Sequence, residues 1–376
     1  MIYLSSEQRA FFALVQAGLW NKEVQIAQDS SINYEKVFQL SEEQSVTGLV
    51  ASGKEHVADM TVPKDDVLQF IGRALQLEQN NKAMNEFIAW LIEKLRKEDI
   101  YAIIVKGQGI AQCYEKPLWR ACGDVDLLLS DNNYKKAFNT LSAIASSIDK
   151  ENKYNQHLAM TIEGWLVELH GSLRCGLWRS LDREVDDVQR AVFYGGRVRS
   201  WMNGRTQVFL PAVDEDVVFV FSHILEHFYK EGIGLRQICD WCRLLWTYRE
   251  KIDVKLLEER LCKAGIMSEW LAFSALAVEY LGMPVEAMPF YSSDEKWVRK
   301  ADSILSFVLE TGNFGHNRDY SYYKKYPYLV YKAISFWKHI QDFGRYFVIF
   351  PLDAIKVTWR RMCVGVIVAA SGRIHE

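Results

Sequence analysis

The sequence predicts an α+β protein: a small mixed sheet within residues 98–210, flanked by a helical N-terminal region, 1–97, and a helical C-terminal region, 211–376. Three observations carry this. Apolar residues recur at helical spacing on both sides of the central segment. Inside it, short apolar runs are punctuated by turn signals at Glu163-Gly164 and Asn203-Gly204. Between Cys122 and Ser130, Gly123-Asp124-Val125-Asp126 opens onto Leu127-Leu128-Leu129, the pattern of a strand carrying two carboxylates.

A chain of 376 residues buries a large core and usually forms two or three domains. Hydrophobic content of 49% and charged content of 25% are those of a globular protein. The aromatic share of 13% is high and weighted to the C-terminal half, where core packing is the first explanation. A net charge of -3 provides no cationic field for general nucleic-acid binding, though a phosphorylated small molecule remains compatible with it. Cys239 and Cys242 form a CxxC inside an apparent helix with no second pair, so buried free thiols in a reducing compartment are expected. No basic-then-apolar leader opens the chain, and no apolar run reaches the roughly 18 residues of a membrane span. Val364 to Ala370, preceded by Arg360 and Arg361, is expected to be a docked terminal helix rather than a membrane contact. The expected location is the cytoplasm.

Taken in order, residues 65–95 show helical spacing through Val67, Leu68, Ile71 and Leu75, then Met84, Phe87, Ile88, Leu91 and Leu95. Gln79-Asn80-Asn81 predicts a break into two helices. Ile100 to Val105 predicts a strand, and Ile110 to Tyr114 a short helix after the turn Lys106-Gly107-Gln108-Gly109. A strand follows over Asp124–Leu129, then a helix over 133–147 capped by Asp131. Hairpins are predicted for His157–Ile162 with Trp165–His170, and for Val198–Trp201 with Thr206–Leu210. Pro211 is placed at a helix start, with Asp214-Glu215-Asp216 in its first turn. Further helices are predicted over 235–248, 253–263, 266–281, 294–310, 325–345 and 350–370.

Strand alternation places Asp124, Asp126 and Leu128 on one face and Val125, Leu127 and Leu129 on the other. Two such charges repel unless a cation lies between them, and Mg2+ or Mn2+ suits oxygen ligands and substrate phosphates. A pair of exposed edge acids is the plain alternative. Glu168 is the candidate third carboxylate, sharing a face with Leu166 and His170. Glycines at 107 and 109 would let a phosphate approach the backbone, without the GK[ST] of a Walker loop. Lys106 and Arg120 are the nearby cations, for a triphosphate or for surface acids. His223 and His227 share a helix face, as packed histidines or cleft wall on one reading and as base or acceptor contacts on another. Asp240 is expected to pair with Arg236 or Arg243 and to line the cleft. The aromatic-basic run Tyr320 to Trp337 is expected to be a packing surface rather than a base-stacking one.

Lys106-Gly107-Gln108-Gly109-Ile110-Ala111, then Arg120, then Gly123-Asp124-Val125-Asp126-Leu127-Leu128 resembles the uncharacterised nucleotidyltransferase family of the polymerase-beta-like superfamily. Glu168-Leu169-His170 resembles its later acidic-Leu-His element. Pro211, Asp214, His223 and His227 are similar to its next helix, and Leu235 to Asp240 to the one after. The resemblance covers about 98–245 and implies transfer of an NMP group from an NTP, with pyrophosphate released. It implies Mg2+ or Mn2+ on Asp124, Asp126 and Glu168, which would be the catalytic residues. Nucleotide contacts would come from Lys106, Gly107, Gln108, Arg120 and Gly123, with His170, His223, His227 and Asp240 in the cleft. The superfamily usually places Ser after the Gly of the phosphate turn; here Gln108 stands there. The acceptor could be a small molecule, a protein or an RNA end. The alternative is an inactive member that keeps the fold as a binding or assembly module.

Overall fold

The computed structural model describes residues 3–26, 32–57, 64–152, 155–230, 232–313 and 343–370, with the isolated positions 330 and 334. Strands are β1 (Ile103–Val105), β2 (Asp124–Leu128), β3 (Ser147–Ile148), β4 (His157–Ile162), β5 (Trp165–His170), β6 (Val198–Asn203) and β7 (Thr206–Pro211). They form one sheet in the order β3-β4-β5-β2-β1-β7-β6. The β2/β5 and β1/β7 pairs are parallel and the rest antiparallel, so the sheet is mixed. Its register positions the site. Parallel pairing sets Asp126 opposite Glu168, and antiparallel pairing sets Val105, the residue before Lys106, opposite Asp126. The β4/β5 hairpin sets His157 opposite His170.

Both faces of the sheet are covered. Val125, Leu127 and Leu129 pack with Val167 and Leu169 against α4 (Lys64–Arg96) and α6 (Asp131–Ser142). On the other face, Ile103, Val105 and Leu128 join a larger apolar cluster. That cluster runs through α1 (Ser6–Trp20), α2 (Tyr34–Glu43) and α3 (Thr47–Gly53) before the sheet. It continues through α7 (Arg179–Tyr194), α8 (Val213–Lys230), α9 (Leu235–Tyr248), α10 (Val254–Ala264), α11 (Met267–Leu281) and α12 (Glu295–Thr311). The short α5 (Gly107–Ala111) leads from β1 towards the cleft, and α13 spans Pro351–Ala370. Among the described residues, no helix is long and apolar enough to cross a membrane.

Several boundaries differ from the sequence expectation, each for a physical reason. Helix α4 runs unbroken through Gln79-Asn80-Asn81, because the buried Asn81 finds partners in the core. Its Nδ2 donates to the Leu118 and Arg120 carbonyls at 2.7 and 2.8 Å, and its Oδ1 accepts from Gln108 at 2.7 Å. Pro211 closes β7 opposite Val198 and does not begin a helix; α8 starts at Val213. Asp131 lies in the first turn of α6, where its charge meets the helix dipole, while Ser130 holds the N-cap position. Strand β1 begins only at Ile103, and α5 begins at Gly107, so the Lys106 turn is itself the helix start. Helix α7 was not expected, although Leu181, Val185, Val188 and Val192 are its buried stripe. The 325–345 helix and the aromatic-basic run 320–337 fall almost wholly outside the described residues.

The C-terminal helices carry one buried acid with a pH consequence. Burial and the neighbouring Asp353 carboxylate push the Glu269 carboxyl up to about 8. Tyr229 donates a hydrogen bond to it at 3.0 Å. The folded state therefore holds a proton that the unfolded chain releases at its ordinary carboxylate value. Stability is expected to fall as pH rises from the ordinary glutamate range through about 8, and Glu269→Gln is expected to flatten that slope. Melting temperatures of both proteins between pH 6 and 9 check this; parallel slopes would refute it.

Candidate active site

The site begins at the turn after β1. Lys106 is held at φ 57°, ψ -144°, and Gly107 at φ 41°. A side-chain-bearing residue in that region stores strain, which is retained where the surroundings hold it in place. What holds it is an ion pair: Lys106 Nζ lies 2.8 Å from Asp126 Oδ1. The same oxygen meets His170 Nε2 at 2.8 Å. His170 Nε2 is also 3.4 Å from Glu168 Oε2, which His157 Nε2 approaches at 3.1 Å. One row across β1, β2, β5 and β4 thus alternates a basic side chain and a carboxylate.

Electrostatics follow from this row. Burial works against the Lys106 charge, but Asp126, Glu168 and Asp124 together hold its ammonium above the ordinary range. Burial likewise opposes charge on His170, yet its bonds to Asp126 and Glu168 raise it. Asp126 would be pushed up by burial; Lys106 and His170 outweigh this and hold it below the usual value. Glu168 is driven far below its range against its burial, by the bonds from His157 and His170 and the Lys106 charge. Asp124 behaves oppositely. Burial first, and Asp126 second, push its carboxyl up. Among the described residues its carboxylate has no hydrogen-bond or ion-pair partner.

A second network fixes the approach to β2. Arg120 Nη2 and Nε donate to Asp240 Oδ2 and Oδ1 at 2.6 and 3.1 Å, and Tyr114 donates to Oδ1 at 2.8 Å. Arg120 and Asp240 are both buried. This corrects the expectation for Asp240: its partner comes from across the fold. Arg236 instead donates to the Ala121 carbonyl, and Arg243 to the Cys113 and Leu19 carbonyls. Helix α3 seats closely on the same segment, and a Cβ on Gly48 would strike the Trp119 carbonyl.

The carboxylate row and this network meet in one cleft. Lys106, Gly107, Asp124, Asp126, Arg120 and Asp240 line it from the sheet side and from α9, with His223 on α8. His223 and His227 touch through their Nε2 atoms at 3.0 Å. Burial, the Lys106 charge and His227 push His223 down to about 3, so its ring is neutral. Gln108 lies elsewhere: it is buried, with its amide bound to Asn81 on α4. Gly123 stands just before β2, with open space where a Cβ would be. Glu168 and His170 sit along the row beside the cleft rather than in its lining. His157, Tyr114, Arg236, Gln237 and Asn81 were not anticipated as site residues. Only His157 left a signal, since hairpin register alone sets it across from His170.

The donor set fits a divalent cation. Asp124 and Asp126 share a strand face, and the Asp124 carboxyl is raised by burial first and by the Asp126 charge second. His157, Glu168 and His170 each offer a ligand atom, and these atoms lie within 4.8 Å of one another.

No curated protein and no solved structure matches this chain. The sequence profile of the uncharacterised nucleotidyltransferases, however, matches residues 30–282, from the segment before α2 to the end of α11. That span contains the whole sheet, the carboxylate row and the two helices that close the cleft, and on it the chain belongs to the uncharacterised nucleotidyltransferase family.

Proposed function

We propose that the protein transfers a nucleotidyl group from an NTP to an acceptor hydroxyl on a small molecule, a protein or an RNA end. The observation that carries this is Asp124 and Asp126 on one strand face, beside the Lys106 turn and one strand from Glu168. Mg2+ or Mn2+ on Asp124, Asp126 and Glu168 would screen the phosphates and stabilise charge at the α-phosphorus. The chain's own residues do the rest. Lys106, released from Asp126, binds phosphate oxygens. Glu168 orients the acceptor hydroxyl, whose proton passes to solvent as the new P–O bond forms and the bond to pyrophosphate breaks. His157 and His170 orient that carboxylate. Arg120 shapes the cleft wall through Asp240, and His223 lines the cleft as an uncharged ring held by His227 and Glu226. Cys113, Cys122, Cys175, Cys239 and Cys242 are free and buried, which fits a reducing compartment and supports placement in the cytoplasm.

Incubation with each NTP labelled on its α-phosphate, Mg2+ or Mn2+, and host lysate tests the proposal. Label on a product identifies donor and acceptor together. If no NTP labels anything while the protein stays folded, the inactive binding-module reading takes its place.

Two imidazoles beside the acids have a further consequence. Mg2+ demands oxygen ligands, whereas first-row divalent metals accept imidazole as well. Mn2+ is expected to protect against thermal unfolding at lower concentration than Mg2+. His157→Ala is expected to weaken the Mn2+ effect by about 10-fold or more, and by more than it weakens the Mg2+ effect. Titration of melting temperature with each metal checks this, and identical titrations for both proteins would exclude His157 as a ligand.

A further inference from the structure

Gln237 is a polar cleft residue that the chemistry above leaves unused, and it is placed for recognition. It lies in the first turn of α9, one helical turn before Asp240, and lines the cleft with Lys106, Asp124 and the apolar Val220 and Ile224. It is 93% buried, since only 7% of its surface is exposed. Yet neither its Nε2 nor its Oε1 has a hydrogen-bond partner among the described residues. Leaving both ends of a buried amide unpaired is costly, and natural cores rarely do it without a reason.

We propose that Gln237 reads the base of the donor nucleotide and selects adenine. This rests on the nucleotidyl-transfer reading and names its donor as ATP. A glutamine amide presents one donor beside one acceptor. Adenine offers the complement, N6–H beside N7, and glutamine pairs with it through both. Guanine presents O6 and N7 on that edge, two acceptors that the amide oxygen would repel, so it would have to turn its N1–H and O6 to the amide instead. Cytosine and uracil also offer a donor beside an acceptor, but the larger purine face covers more of the cleft wall at Val220 and Ile224.

The test is calorimetric binding of the α,β-methylene analogues of ATP, GTP, CTP and UTP, which do not turn over, to the full chain with Mn2+ present. Wild type is expected to bind the ATP analogue tightest. Gln237→Met, which keeps the volume, is expected to lose roughly 5- to 150-fold of that affinity and to change the other three by less. Gln237→Glu, with two acceptors, is expected to move the preference towards the GTP analogue, whose N1–H and N2–H groups both donate. Because Gln237→Met removes two unpaired buried polar atoms, its melting temperature is expected to rise. A fall in melting temperature would mean that the amide is structural and would overturn the proposal. So would tightest binding of any other analogue, or equal losses across all four. Failure of every analogue to bind wild type would sink the nucleotidyl-transfer reading as well, whereas binding without base preference would sink only the role of Gln237.

Discussion

Arg120→Met is expected to destabilise the fold by about 3–5 kcal/mol, because it strands a buried carboxylate. Asp240 would keep only the Tyr114 hydroxyl at 2.8 Å, in a site where both members of the pair are largely excluded from solvent. The loss is a measure of the orphaned charge and not of the net worth of the pair. The double variant Arg120→Met with Asp240→Leu is therefore expected to regain most of the stability, since an apolar pair of similar volume avoids the desolvation of both ions. Urea denaturation of the wild type, both single variants and the double variant closes the cycle. A double variant as unstable as the sum of the singles would mean that the two side chains act independently. The same double variant is expected to lose transfer even when folded, because the segment 118–121 leads directly into β2. Its backbone is pinned by Asn81 and by Arg236 of α9, and the Arg120 side chain ties it to α9 a second time through Asp240.

What the sequence shows of this protein follows the range of the interactions. Both hairpins were legible because their signals are local: alternation in the arms, and Glu163-Gly164 or Asn203-Gly204 between them. The carboxylate pair was legible for the same reason, since strand period alone puts Asp124 and Asp126 together. Partners fixed by tertiary structure were not. Asp240 has Arg236 and Arg243 within a turn on its own helix, and local reasoning must favour them. The fold instead supplies Arg120, 120 residues away in sequence, with a bidentate geometry that no i,i+3 neighbour can match. Asn81 misled in the same way. A polar triplet inside a helical pattern suggests a break, but the buried amide satisfies three groups of the site segment and the helix continues. Gln108 holds the position where a phosphate-binding serine is usual in the superfamily, yet its side chain belongs to that same buried network.

Asp124→Asn separates the chemistry from the fold more cleanly than any other change at the site. Asp126 is unsuited to the purpose, because Lys106 and His170 both rest on it and its loss would leave two buried basic groups without that carboxylate. Among the described residues Asp124 makes no hydrogen bond or ion pair to another side chain, although its charge adds to the field that holds Lys106 charged, and its carboxyl is raised by burial and by the Asp126 charge. A raised carboxyl means that the folded state binds its proton more tightly than the unfolded chain does. Stability is then lost as pH climbs from the ordinary aspartate value through the raised one, a penalty carried by the ionised carboxylate. Asparagine removes it. The variant is expected to melt at or above the wild-type temperature at pH 7, with the difference vanishing in acid. Mn2+ should raise the melting temperature of the wild type by ligand linkage and leave the variant nearly unmoved. Transfer from labelled NTP is expected to fall by about 10^3-fold or more, as befits loss of a metal-holding carboxylate at the reacting phosphorus. A less stable variant would make Asp124 a structural acid. A stable variant that still transfers label would remove it from the mechanism, and with it the basis for placing a metal between the two aspartates.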